Sequence, residues 1–222
     1  MINVLDGDYM FFQYGKQEIS HLKQNDKKLG DAISQIGMIQ RRTEPDLFSS
    51  IIRHIVGQQI SKAAQETVWQ RMCEFLGGIT PESIEKVSIN ELQAKGITFK
   101  KAGYIKGFAE KVLNKEFDID SLYTKGDEEV IKYLTTLKGI GVWTAEMVLI
   151  FCMQRPDVVS FGDLGIRRGM QILYDHEKID RKLFENYRKR YSPYGTTASL
   201  YLWEIAAGRD YKVKNDTSGE KI

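Results

Sequence analysis

Two short stretches of this chain carry residues whose types and spacing could do chemistry. The first is Gly162-Asp163-Leu164-Gly165-Ile166, an aspartate at the start of an apolar-periodic segment. An aspartate at a helix N-cap accepts hydrogen bonds from the first turn, which holds its carboxylate rigidly, and the helix dipole favours its charge. A carboxylate held this way can stabilise a cation developing on a reacting carbon, or orient and deprotonate a water. Capping alone accounts for the same aspartate, so local sequence leaves both roles open. The second stretch is Leu137-Lys138-Gly139-Ile140-Gly141-Val142-Trp143-Thr144-Ala145. Its Gly-Ile-Gly turn lets an anion approach the backbone without meeting a Cβ, and the following helix points unpaired N–H groups at that anion. Lys138 adds a cation beside it. A helix C-cap glycine followed by a tight turn explains the same residues without any ligand.

The elements that must position these stretches read as helices. Gly126 to Leu137, with Val130, Ile131, Leu134 and Leu137 on one stripe, and the apolar run Val142 to Met153 flank the Gly-x-Gly turn and make an αα-hairpin. Gln17 to Ile36 reads as one helix, followed by Leu47 to Val56 behind an Asp46 cap. Gly57-Gln58-Gln59-Ile60 breaks the pattern, and Ser61 caps a helix that Gly77-Gly78 ends. Short helices follow at Pro81 and at Ser88 to Lys95, and longer ones at Phe99 to Leu113, Asp163 to Tyr174, Asp180 to Arg190 and Thr196 to Ala207. The expected fold class is all-α, with about ten helices. We expect one domain over 1–222 in two lobes with a cleft between them: about 50–160 holds the hairpin, and 1–49 with 161–208 closes the other lobe. Residues 1–14 are aromatic and read as an extended arm, and 209–222 as a polar tail.

At 222 residues with 42% hydrophobic content, the chain has enough apolar surface for a real core, which excludes general disorder. No apolar run is long enough to span a bilayer, and Met1 to Tyr14 lacks the layout of a signal peptide, so the expectation is a soluble, cytoplasmic or otherwise intracellular protein. A formal net charge of +2 says little about nucleic acid. The local clusters say more: Lys95, Lys100, Lys101, Lys106, Lys111 and Lys115, then Arg167, Arg168, Arg181, Lys182, Arg188, Lys189 and Arg190. Most of these also suit a solvated helix face. Cys73 and Cys152 lie within apolar helical patterns and read as core thiols; two cysteines are too few for an iron–sulfur cluster. His21, His54 and His176 have no metal-ligand spacing.

Taken together, Leu-x-Gly-Ile-Gly-x-Trp-Thr-Ala followed by a Gly-Asp before a new helix resembles the helix–hairpin–helix DNA glycosylases of base excision repair, in particular their alkylated-base branch. The resemblance runs from about Leu47 to Ala207, in the compact form that lacks the N-terminal β domain of larger relatives. It implies a glycosylase that hydrolyses the N-glycosidic bond of alkylated purines such as 3-methyladenine in double-stranded DNA, acting as a monomer in the nucleoid, or in the nucleus of a eukaryote. It implies Asp163 as the catalytic carboxylate, and Trp143, Met147, Leu164 and Trp203 as the base pocket, with Met147 and Leu164 where some relatives carry tyrosines. Tyr191 and Tyr194 are further candidates for that pocket, while Asp157 reads as a loop residue. Gln58, Gln59 and Ser61 fall on the loop that enters the gap left by a flipped base, with Gln59 as the plug. Lys138, Gly139, Gly141 and Thr144 fall on the phosphate-binding hairpin. No cofactor is required by the resemblance; a structural Na+ or K+ is implied at the main-chain carbonyls of Thr135, Leu137 and Ile140, and no iron–sulfur cluster. Members that also cut the strand carry a lysine where this chain has Trp143, which implies a monofunctional enzyme that leaves an abasic site. Two other readings remain: a non-catalytic helix–hairpin–helix clamp on DNA, for which Asp163 and the tryptophans would be unnecessary, and a glycosylase for another damaged base.

Overall fold

The computed structural model describes residues 5–6 and 9–208. The polar tail at 209–222, and residues 1–4 and 7–8 of the N-terminal arm, lie outside the described residues. In chain order the elements are β1 (Leu5–Asp6), β2 (Tyr9–Phe11), α1 (Lys16–Asn25), α2 (Lys27–Ile36), β3 (Arg42–Thr43), α3 (Leu47–Gly57), α4 (Lys62–Leu76), α5 (Pro81–Glu85), α6 (Ile89–Gln93), α7 (Phe99–Leu113), a 3-10 turn (Asp120–Thr124), α8 (Asp127–Leu134), α9 (Val142–Phe151), α10 (Leu164–Tyr174), α11 (Arg181–Tyr191) and α12 (Gly195–Ala207). The three short strands form one small sheet in the order β1-β2-β3, with β1 and β2 antiparallel. The rest is helical, as the periodicity predicts. No helix among the described residues is long and apolar enough to cross a membrane.

Helix starts follow the capping chemistry in the sequence. Asp46 accepts from the Ser49 N–H, Ser61 from Ala64, Thr98 from Lys101 and Asp180 from Leu183, at 2.6 to 3.2 Å. One expectation is corrected. The stretch from Gln17 to Ile36 is two helices, because Asp26 takes an extended conformation (φ −145°, ψ 104°) and caps α2 through the Leu29 N–H at 2.9 Å. The apolar stripe hides this break, since Leu22, Leu29 and Ile33 stay in phase across it and all are buried. Asp26 is buried as well, and its other oxygen accepts from the Tyr174 hydroxyl at 2.8 Å and from Arg190 at 3.2 Å. Tyr191, a sequence candidate for a pocket, is fully buried against Tyr174 in this network, with the two hydroxyls 2.8 Å apart. Burial pushes the Tyr174 and Tyr191 phenols far up, so both stay protonated donors.

The chain divides into two compact units. The first comprises Arg42–Arg155 with the described N-terminal residues through Met10. In it α3 packs against α4, α7 and α9, and Phe48 stacks on Phe108 with centroids 4.9 Å apart. The second comprises Phe11–Arg41 and the described chain from Pro156 to residue 208. There α10 and α12 make the most extensive helix pair, over a core that includes Ile166, Met170, Tyr201 and Leu202. The divisions thus fall at residues 10/11, 41/42 and 155/156, with α3 wholly in the first unit.

Candidate active site and phosphate-binding hairpin

Asp163 sits at the N-cap of α10, only 8% exposed. Its Oδ1 accepts two hydrogen bonds of 2.9 Å, one from the Ile166 N–H and one from the indole Nε1–H of Trp203 on α12. Two donors from different helices fix the plane of the carboxylate. Trp203 reaches it because α10 carries glycines at 165 and 169, one turn apart on the face toward α12. A Cβ at Gly165 would lie 2.8 Å from Trp203 Cδ1 and 3.1 Å from Asp163 Oδ1; one at Gly169 would strike the Leu202 carbonyl. Backbone lies against backbone there, so the crossing cannot yield to a methyl. Gly169→Ala should therefore cost about 1–3 kcal/mol. Gly103→Ala on α7, where nothing lies within 4 Å of the added atom, should gain up to about 1 kcal/mol of helix propensity. Denaturant melts of the two variants check this pair of opposite signs.

The segment leading to Asp163 is stitched to the start of α12. Asp157, read from sequence as a loop residue, accepts from the Ser192 hydroxyl at 2.6 Å and from the Gly195 N–H at 3.0 Å. Val158 donates its N–H to Thr196 Oγ1 at 2.9 Å, and Ser199 donates to the Val158 carbonyl at 3.0 Å. The loop before the aspartate and the helix bearing Trp203 therefore move as one piece. Leu164, the first residue of α10, is 74% exposed and offers an apolar surface beside the carboxylate.

In the first unit, the hairpin joins α8 to α9 through Thr135–Gly141. Gly139 has φ +89°, a conformation that glycine takes without strain, and a Cβ there would collide with the Tyr104 ring. Gly141 caps α9, and nothing lies within 4 Å of where its Cβ would be, so the approach to the first turn of α9 is open. Lys138 is exposed. Thr144 is buried, and its hydroxyl is taken by Gln58, whose side-chain amide donates to Thr144 Oγ1 at 3.3 Å and to the Gly139 carbonyl at 2.7 Å. Neighbouring glutamines thus part company: Gln58 turns in to the hairpin, whereas Gln59, at φ +57°, is exposed at the tip with Ile60 and Ser61. Lys101 of α7 donates to the Val56 and Gln58 carbonyls at 2.9 and 2.7 Å, and desolvation holds its ammonium below the usual lysine value.

The remaining sequence candidates divide by burial. Trp143 is 39% exposed on the first turn of α9, while Met147, one turn on, is 3% exposed and belongs to the helix's packed side. Tyr194 packs edge-on to His21 at 5.1 Å and accepts from Gln17 at 2.6 Å. Of the carbonyls expected at a cation, that of Leu137 accepts from the Ile140 N–H at 3.1 Å, which leaves it a second lone pair. Cys152 is buried with its thiol pushed up to about 12 by desolvation, and Cys73 is half-buried; neither is in a disulfide. Among the described residues, no group of three or more histidine, cysteine or acidic side chains could hold a metal.

Comparison with known proteins fixes the ancestry of this arrangement. Residues 52–193, most of the chain, match the model of the HhH-GPD superfamily base excision DNA repair proteins. The chain belongs to this superfamily. It is similar to DNA-3-methyladenine glycosylase 1 of Schizosaccharomyces pombe, 29% identical over 198 residues that cover 87% of each chain. It is also similar to the crystal structure of a DNA-3-methyladenine glycosidase from Bacillus halodurans, with a TM-score of 0.78 and 36% identity over 88% of this chain and 92% of that one. The structure of the S. pombe 3-methyladenine DNA glycosylase Mag1 in complex with abasic DNA matches with the same TM-score, 27% identity, and coverage of 89% and 100%. The HhH-GPD matched region holds the glutamine loop, the hairpin and Asp163, and ends before Trp203.

Sequence reasoning missed three residues of this HhH-GPD chain that build the site. Gly165 and Gly169 make room for α12, and the signal was available as a pair of glycines one turn apart inside a helix. Lys101 was visible only as one member of a lysine-rich segment.

Proposed function

We propose that this protein is a monofunctional DNA glycosylase that hydrolyses the N-glycosidic bond of alkylated purines of the 3-methyladenine type in double-stranded DNA. The observation that carries the reading is the carboxylate of Asp163, held by the Ile166 N–H and the Trp203 indole at the start of α10. A non-catalytic clamp would not need this acid together with Trp143 and Trp203. Breaking the bond between base and sugar builds positive charge on the sugar ring, as in glycoside hydrolysis. Asp163 stabilises that charge and orients the attacking water. An N-alkylated purine such as 3-methyladenine already carries positive charge, so it leaves with little acid assistance. The absence of a second carboxylate from the Gly-Asp motif agrees with this. The names of the relatives, which act on 3-methyladenine, support the same substrate class.

The base must leave the duplex to be cut. We assign its aromatic contacts to Trp143 and Trp203, with Leu164 as an apolar neighbour; stacking and cation–π attraction each contribute on the order of 1–3 kcal/mol. Gln59 is the side chain assigned to the gap, because Gln58 is already spent on the hairpin. The N–H groups at the start of α9, with Lys138, take a backbone phosphate. A monovalent cation on the carbonyls of Thr135, Leu137 and Ile140 would supply charge to the same phosphate. An iron–sulfur cluster is not part of the proposal, and the enzyme is taken to act as a monomer on chromosomal DNA.

Incubation with methylated DNA and chromatography of the released bases tests the reading directly: methylated purines should appear, and release of none would sink it. Binding to undamaged duplex should be nearly sequence-blind. Its log Kd should rise with log salt at a slope near 0.9 per phosphate neutralised. A salt-independent affinity would remove the hairpin from the phosphate.

A further inference from the structure

We propose that Lys101 is a positioning residue for base flipping: together with Gln58 it locks Gln59 in place and ties it to the phosphate-binding hairpin. The inference rests on the assignment of Gln59 to the gap. Lys101 sits in the first turn of α7, yet its ammonium turns onto the 56–58 segment and donates to the carbonyls of Val56 and Gln58. It pairs with no carboxylate among the described residues. A half-buried cation is thus committed to the two carbonyls that end α3, where a helix leaves acceptors unpaired and its dipole is negative. Those bonds orient the Gln58 peptide. The Gln58 side chain then runs the other way, to the Gly139 carbonyl and Thr144 hydroxyl of the hairpin.

Gln59 follows immediately, in a left-handed conformation that a residue with a Cβ rarely adopts (φ +57°). Such a residue keeps its geometry only when its neighbours dictate it. Here Lys101 and Gln58 hold one side, and the Ser61 cap on the Ala64 N–H, at 3.2 Å, holds the other. Gly57 is crowded by the Gln65 amide, which itself donates to the Arg53 carbonyl at 2.9 Å. The tip is therefore rigid, exposed and bonded to the hairpin. A phosphate seated on the hairpin and a side chain presented to the gap share one frame, so gripping the strand sets the depth at which Gln59 enters.

Two substrates and two variants test this. Lys101→Met removes the ammonium and keeps the stem; Gln58→Met keeps the length and removes the donor amide without placing a charge beside the phosphate-binding hairpin. In single-turnover assays, release of 7-methylguanine opposite cytosine should slow by about tenfold to a hundredfold in each variant, as expected of a misplaced active group. Release of the same base opposite a tetrahydrofuran abasic analogue, where no pair must be broken, should fall by no more than about threefold. Lys101→Arg, which still reaches both carbonyls, should recover most of the rate. A second readout needs no excision. In a duplex with 2-aminopurine opposite a tetrahydrofuran site, wild-type binding should raise the fluorescence as the plug enters. Lys101→Met should lose that rise at saturating protein, and Lys101→Arg should keep it.

Equal slowing on both substrates, or an unchanged fluorescence rise in Lys101→Met, would overturn the lock. So would loss of the folded circular dichroism spectrum in both variants, which would reduce the network to a stability role. If wild-type protein released no base yet gave the fluorescence rise, and Lys101→Met abolished it, the glycosylase reading would fail while the lock stood.

Discussion

Replacing Asp163 with asparagine should lower base release by about a thousandfold or more, an increase of roughly 4 kcal/mol in the barrier, while leaving the fold and DNA binding almost unchanged. The geometry makes this substitution unusually clean. The bonds from Ile166 and from Trp203 are both accepted at Oδ1, and an asparagine carbonyl oxygen can accept both. Asparagine is also as good an N-cap as aspartate. The variant therefore removes the negative charge and keeps these two bonds. Asp163→Ala offers the contrast. It deletes the cap, worth about 1 kcal/mol, and strands the Trp203 N–H in a part-buried setting at a further cost of about 1–3 kcal/mol. The alanine variant should lose both activity and melting temperature, and the asparagine variant activity alone. Single-turnover release and thermal melts of the two proteins separate the roles. Near-normal turnover in Asp163→Asn would return the residue to capping, and a melting temperature as low as that of the alanine variant would show that the charge itself holds α10 and α12 together.

What could be read from the sequence and what could not follow from the range of the interactions. The Gly-x-Gly hairpin, the caps at Asp46 and Ser61, and the aspartate before α10 are local: each is decided within a few residues, and each was legible. The break at Asp26 was not, because a seven-residue spacing from Leu22 to Leu29 keeps the stripe in phase whether or not the helix continues. The Trp203 bond to Asp163 spans forty positions, and only the packing of α12 on the glycine face of α10 creates it. The resemblance singles out Gln59 as the plug, but the bonds of Gln58 to Gly139 and Thr144, more than eighty positions away, were beyond reach. Two identical residues in sequence differ by a backbone angle, and the lysine bonded to the peptide between them lies more than forty positions away. Met147 illustrates the converse. Its place in the motif suggests an open pocket, but its position on α9 puts it on the side that packs.

Treatment with borohydride during turnover should trap no covalent protein–DNA adduct, and abasic sites should accumulate intact until alkali cleaves them. Strand-cutting chemistry needs an amine that attacks the sugar carbon, forms a Schiff base and leaves the strand to break by elimination. The resemblance implies that this amine would be a lysine at the position of Trp143. The indole there is a hydrogen-bond donor with no nucleophilic nitrogen, and it lies on the first turn of α9, well exposed. Two other lysines of the first unit, one on the hairpin and one bonded to the glutamine loop, need the same check. Lys138 is exposed on the other arm of the hairpin, before Gly139, where its charge suits a phosphate. Lys101 has an ammonium held below its usual value by desolvation, a shift that favours nucleophilicity, but the structure directs it at the Val56 and Gln58 carbonyls. On the proposed function, water is then left as the nucleophile, with Asp163 as the group assigned to activate it, and a separate endonuclease processes the product. Efficient trapping that disappears in Lys138→Ala or in Lys101→Met would overturn this assignment and name the lysine responsible. Trapping at the level of a protein-free control, with alkali-labile sites rising in step with free base, is the result expected.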